Sequence, residues 1–84
     1  MIKNLINEII SELQVHKLNH PEHISSCNNL LLKYEKALVD IDTNMPIVEF
    51  ISWNKLFAPR IIFDGIGNKK ILSLVELLNN NLKS

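Results

Sequence analysis

The sequence predicts an all-α fold, an antiparallel four-helix bundle, built as a single domain over residues 1–84. Three observations lead there. Apolar residues recur at three- and four-residue steps in four separate stretches, the spacing that gathers them on one face of a helix. Only 2 glycines and 3 prolines occur in 84 residues, too few for an all-β chain that turns roughly every 8–12 residues. Short polar or proline-bearing breaks separate the stretches, and short breaks make consecutive helices antiparallel neighbours. A hydrophobic fraction of 46% is ample for a packed core, so disorder is not expected.

The first helix is expected over about residues 2–17. Ile2, Leu5, Ile6, Ile9, Ile10 and Leu13 form its apolar stripe, with Glu8 and Glu12 on the other side. The pattern fades at Asn19 and His20. The second helix, about 21–41, begins at Pro21, where a missing N–H costs nothing, and Glu22 suits the positive end of the dipole. Ile24, Cys27, Leu31, Tyr34, Leu38 and Ile41 make a heptad-like seam, fitted to shallow antiparallel packing. Ser25, Ser26, Asn28 and Asn29 are weak helix formers, so this helix depends on its neighbours.

Thr43 or Asn44 is the expected N-cap of a third helix, about 46–62, with Pro46 in its first turn. Its apolar face comprises Ile47, Phe50, Ile51, Phe57, Ala58 and Ile61, widened by Val48, Trp53 and Leu56. Pro59 interrupts this pattern. It removes the helical bond to the Lys55 carbonyl, at about 3 kcal/mol or more in a straight helix. A kink or stop near residue 58, with a further turn over 60–63, is therefore expected. Gly65 is expected to end the helix in the left-handed conformation, and Asn68 to cap a fourth helix over 69–82. Ile71, Leu74, Val75, Leu78 and Leu82 form that helix's stripe, with Leu72 and Leu77 outside it. Trp53 belongs in the core by default, while on a surface an indole is an interface anchor.

Net charge is zero but unevenly placed. Residues 1–49 carry four lysines against seven acids, a net −3, and residues 50–84 carry a net +3. The later half thus points to an anionic partner, although scattered surface charge gives the same count. No stripe of Lys and Arg with interleaved aromatics is present, which disfavours nucleic acid. Cys27 stands alone, so nothing argues for a disulfide-bearing secreted protein. The N-terminal apolar residues are interrupted by Asn4, Asn7, Glu8 and Ser11, unlike a secretory leader. The run over 47–63 contains Glu49, Asn54, Lys55, Pro59 and Arg60 and would span a bilayer poorly. A cytoplasmic location is expected, with peripheral contact at the inner membrane face left open.

Catalytic and cofactor chemistry finds little support. His16, His20, His23 and Cys27 would share a face of one continuous helix, a plausible zinc arrangement. Pro21 breaks that helix and Cys27 falls on the apolar seam, so a His-rich connector is the favoured account, and neither metal nor cofactor is expected. Gly65-x-Gly67 lacks the third glycine and the Lys-Ser/Thr pair of a phosphate loop. No Ser/His/Asp or Cys/His constellation is readable, so no enzyme and no small-molecule substrate are expected. Residues 64–68 offer a helix–turn–helix corner, but after Lys69, Lys70 and Ser73 the next helix turns Leu-rich and reads as packing rather than base readout.

The stretches "LLLKYEKAL" (30–38) and "MPIVEFISWNKLFAPRIIFDGIG" (45–67), followed by a Leu-rich closing helix, resemble the immunity proteins of pediocin-like (class IIa) bacteriocins, the enterocin A immunity family. There a similar Pro-Ile/Leu pair opens helix three, a basic-plus-apolar pair like Arg60-Ile61 follows its end, and a break like Asp64-Gly65 precedes helix four. The resemblance implies a four-helix bundle in the cytosol of a Gram-positive cell and a role in antimicrobial resistance. Such proteins are thought to bind the mannose phosphotransferase permease once a bacteriocin has engaged it, locking the complex closed, with the C-terminal half setting which bacteriocin is resisted. Partner contacts are assigned to the basic half: Trp53, Lys55, Arg60, Lys69, Lys70 and Lys83. Such cations can meet acidic loops or anionic headgroups, at about 1 kcal/mol each near a charged membrane. The competing reading is a small helical regulatory or mobile-element protein that oligomerises through surplus apolar positions, Leu30, Leu32, Leu72 and Leu77.

Overall fold

The computed structural model describes residues 1–82, and in it the chain forms an antiparallel all-α bundle of four rods, the third broken in two. The helices are α1 (Ile2–Asn19), α2 (Ile24–Asp42), α3 (Val48–Leu56), α4 (Ala58–Gly65) and α5 (Lys69–Asn81). A single 3-10 turn, Pro21–His23, joins α1 to α2. Lys3 meets Asp42 at 2.6 Å, and the Lys17 ammonium donates to Asn28 Oδ1 at 3.1 Å, so each end of α1 lies beside the opposite end of α2. Lys70 meets Glu12 at 3.0 Å, which sets the start of α5 against the later half of α1.

The expected stripes supply the core. α1 buries Leu5, Ile6, Ile9 and Leu13, and the stripe continues one step further to His16. α5 buries Ile71, Val75 and Leu78. On α2 the buried set is Cys27, Leu30, Leu31, Tyr34 and Ala37. It is wider than the seam read from the sequence because α2 packs against both α1 and α4. Leu30, expected to be surplus, is therefore core, and Ile24, expected in the seam, is exposed at the helix start.

The third rod breaks at Phe57, close to the expected stop. Phe57 N–H still reaches the Trp53 carbonyl at 2.8 Å. Pro59 has no N–H for Lys55, so the helix ends and restarts with Pro59 in the first turn of α4, where the missing donor costs nothing. The restarted helix runs for 8 residues, longer than the single turn expected over 60–63. The restart rotates the apolar face. Ala58, Ile62 and Ile66 turn inward, and Phe57, expected in the core, is 56% exposed.

Two punctuating roles are reassigned. The Thr43 hydroxyl donates to the Val39 carbonyl at 2.8 Å, closing α2 rather than opening α3. Asn44 adopts a left-handed φ of 62°, and Ile47 stands at the α3 N-cap without a side-chain bond. The left-handed glycine is Gly67, at φ 67°, not Gly65. Gly65 ends α4 and is small for a different reason. A Cβ there would strike the Ser26 hydroxyl and lie 3.1 Å from Ser26 Cβ, so a larger residue would require Ser26 to move aside. Asn68 caps α5 as expected, its Oδ1 accepting from Ile71 N–H at 3.0 Å.

One polar side chain sits wholly inside the core. Asn54 accepts a hydrogen bond at Oδ1 from the Tyr34 hydroxyl, and both residues are fully buried. Its Nδ2 donates to Asn79 Oδ1 at 2.7 Å and points to the Val75 carbonyl at 3.4 Å. Asn79 Nδ2 returns a bond to the Asn54 carbonyl at 3.2 Å. The network ties α2, α3 and α5 together, and no buried side-chain polar atom among the described residues lacks a partner. Burial pushes the Tyr34 phenol far above its usual range, which keeps it a donor.

Asn54→Leu would strand the Tyr34 hydroxyl and the Asn79 amide in a dry interior, and it is expected to cost about 1–3 kcal/mol in urea denaturation. Adding Tyr34→Phe should return part of that loss by removing one stranded group. A neutral Asn54→Leu would mean that apolar packing alone holds these three helices in register.

Candidate functional site

The residues assigned to partner contact do not form one cluster. Trp53 is half-buried. It stands edge-to-face with Tyr34, with ring centroids 5.3 Å apart at 69°, and lies 6.0 Å from Phe50 at 29°. Lys33 Nζ hovers 5.9 Å from the centre of its ring, within the range of a cation–π contact. Trp53 and Lys33 line a groove of about 240 Å³ between α2 and the start of α3, closed by Asp40, Pro46 and Phe50. That volume is below the roughly 300–1,000 Å³ typical of sites that enclose a small molecule. The groove is therefore a surface feature with an aromatic wall, and Trp53 serves the fold first.

Arg60 belongs to a different depression, an open one between α4 and α5, shared with Pro59, Phe63, Asp64, Leu72 and Glu76. Lys70 is committed to Glu12 at 3.0 Å, and that carboxylate holds its ammonium pKa above the ordinary value. Lys55, Arg60 and Lys69 are exposed and make no ion pair among the described residues. Lys83 lies outside the described residues.

Sequence periodicity misses the aromatic side of α4. Phe57 and Phe63 are 56% and 75% exposed, and each stands three residues from Arg60, about one helical turn on either side. Leu56, at the end of α3, is exposed as well. The local signal is Pro59, whose restart of the helix turns Phe57 out of the face that the uninterrupted pattern assigns to the core.

A third group lies at the opposite end of the chain's first rod. Pro21 does break α1, yet the 3-10 turn it opens brings His20 and His23 back over His16 instead of separating them. One ring nitrogen from each histidine lies within 4.8 Å of the others. His16 Nε2 is 2.9 Å from His23 Nδ1. Glu22 Oε2 stands 3.5 Å from His20 Nδ1 and 4.0 Å from His23 Nε2. Burial lowers the His16 pKa, the neighbouring His20 and His23 lower it further, and Glu22 opposes them. Cys27, grouped with these residues by spacing, is buried in the core with its thiol pushed up mainly by burial, and it does not join them.

Against known protein families, curated proteins and solved structures, the chain finds no match. No helix among the described residues is long and apolar enough to cross a membrane.

The two kinds of residue should separate in a denaturation series. Trp53→Ala is expected to cost about 2–3 kcal/mol, less than the roughly 3–5 kcal/mol of a fully buried aromatic because the indole is half exposed. Lys55→Ala, Arg60→Ala and Lys69→Ala should leave the urea midpoint where it was. A stable Trp53→Ala protein would return the indole to the surface set.

Proposed function

We propose that this protein is an immunity protein, protecting a cell from a class IIa bacteriocin by binding the bacteriocin-engaged mannose phosphotransferase permease from the cytosolic side. The observation that carries this reading is the mixed aromatic and cationic side of α4, where Phe57 and Phe63 are left in water around Arg60. Large exposed aromatics on a small domain mark an interaction surface. An Arg between them offers a planar fork of donors for carboxylate or phosphate oxygens. The two phenyl rings supply desolvated anchorage around that fork. This side of α4 falls within residues 45–67, one of the stretches that resemble the immunity family.

No bond is made or broken in such a role. Tighter binding to the closed than to the open form of the bacteriocin-engaged permease would shift it toward the closed state, and equal affinity for both states would shift nothing. Lys55 and Lys69, free of internal ion pairs among the described residues, would add attraction toward anionic loops or headgroups.

A second reading, a regulatory or mobile-element protein that self-associates, is favoured by the outer side of α2. Leu32 and Val39 are 70% and 60% exposed and stand two turns apart, a spacing that suits a helix–helix seam. Leu77 of α5, also expected to be surplus, is exposed too.

Both readings meet in one set of measurements. Produced in bacteriocin-sensitive cells, the wild-type protein is expected to restore growth in the presence of a class IIa peptide. The double variant Arg60→Glu, Phe63→Ser should lose that protection with its helical circular dichroism and urea midpoint intact. Unchanged killing by every class IIa peptide tried would count against immunity. A dimer in sedimentation that Leu32→Glu dissolves would favour the second reading.

A further inference from the structure

We propose that His16, His20 and His23 form a binding site for a borderline transition-metal ion, Zn²⁺ foremost. This inference stands apart from the immunity reading and uses none of its residues.

The hydrogen bonds fix where the protons sit. Asn68 Oδ1 accepts from Ile71 N–H at 3.0 Å, and a backbone N–H can be met only by the amide oxygen. The amide nitrogen must then be the atom that faces His16 Nδ1, at 3.2 Å. An amide NH₂ only donates, so His16 Nδ1 accepts and the ring carries its proton on Nε2. That proton lies between His16 Nε2 and His23 Nδ1, 2.9 Å apart. The two rings are nearly coplanar, at 6° with centroids 5.1 Å apart, as an edge-to-edge bond requires. His20 completes the group, its centroid 4.4 Å from that of His16.

A metal ion could take over the role of the shared proton after a local rearrangement of the two rings. Two imidazole nitrogens on a tetrahedral zinc, with bonds of about 2.0–2.1 Å, stand about 3.3 Å apart. The pair here needs to open by a few tenths of an ångström, and each ring must tilt by about 35° so that the two lone pairs converge on one ion. His20 is exposed and free to swing its nearer nitrogen inward. Three imidazoles suit zinc, copper or nickel better than magnesium or calcium.

Loading the site has a definite internal cost. The His16 proton must move from Nε2 to Nδ1, where it would point at the Asn68 NH₂. Asn68 must then turn its amide over, giving Oδ1 to His16 and releasing the Ile71 N–H. Metal at the α1–α2 corner is thereby linked to the N-cap of α5. An aspartate at position 68 escapes this conflict. One oxygen can keep the cap while the other accepts from His16 Nδ1–H, the carboxylate–histidine–metal arrangement that strengthens such ligands.

Calorimetric titration of the full chain with Zn²⁺ at neutral pH tests the site. One Zn²⁺ per chain is expected for the wild type. Affinity should fall by tenfold or more in His20→Ala and in His23→Ala, neither of which empties the core. It should rise by about tenfold in Asn68→Asp, the scale of second-shell effects. Long-range ¹H–¹⁵N NMR should report His16 changing from Nε2–H to Nδ1–H as zinc is added. Affinity indifferent to His20→Ala and His23→Ala, or His16 retaining Nε2–H with zinc bound, would overturn the proposal.

Discussion

A primary amide in a dry interior is directional in a way that apolar contact is not, and in this protein the Asn54 amide governs how three helices meet. Leucine and isoleucine stripes tolerate sliding and rotation at modest cost, because most arrangements bury a similar area. Asn54 tolerates neither. Its oxygen takes the Tyr34 hydroxyl from α2, and its nitrogen is divided between Asn79 and the Val75 carbonyl of α5. Asn79 answers through the Asn54 backbone carbonyl. A shift by one residue along any of the three helices would leave several groups unpaired in a region without water, at a cost comparable to the whole stability of a small domain. Buried polar residues are known to select register in helical assemblies. Here the same device operates within one chain.

With α3 held in place, the aromatic wedge beside it is fixed as well. Tyr34 stands at right angles to Phe50, with centroids 5.6 Å apart at 82°, and Trp53 closes the group from outside. The rod can then break only beyond this pinned segment. Pro59 sets the place by denying a donor to Lys55, and the restart swings Ala58 and Ile62 inward. The exposure of Phe57 is thus a consequence of backbone chemistry at one proline. A continuous helix would have hidden that ring, and the surface on which the immunity reading rests would not exist.

The other end of the bundle is organised by a second amide. Asn68 caps α5 with its oxygen and orients His16 of α1 with its nitrogen. One side chain therefore sets both a helix start and the tautomer of an imidazole that belongs to a distant part of the chain. Gly65, three residues earlier, allows the close approach of α4 to Ser26 at the start of α2. The corner where three histidines meet is consequently rigid on its buried side and open on the side of His20.

The sequence alone determined the four amphipathic stretches, the stop beside Pro59 and the cap at Asn68, because each depends on residues within a turn or two of one another. The inward stripes of α1 and α5 are legible for the same reason: periodicity is a local property of a helix. Tertiary structure decided the rest. That Asn54 is core and Phe57 is surface depends on where α2 and α5 lie. That three histidines converge depends on how a 3-10 turn folds back over α1, where His16 is met by Asn68, 52 residues away in the chain. Polar pairings of this kind carry no periodic signal. They are selected only when helices far apart in sequence are brought together and every buried donor must find an acceptor.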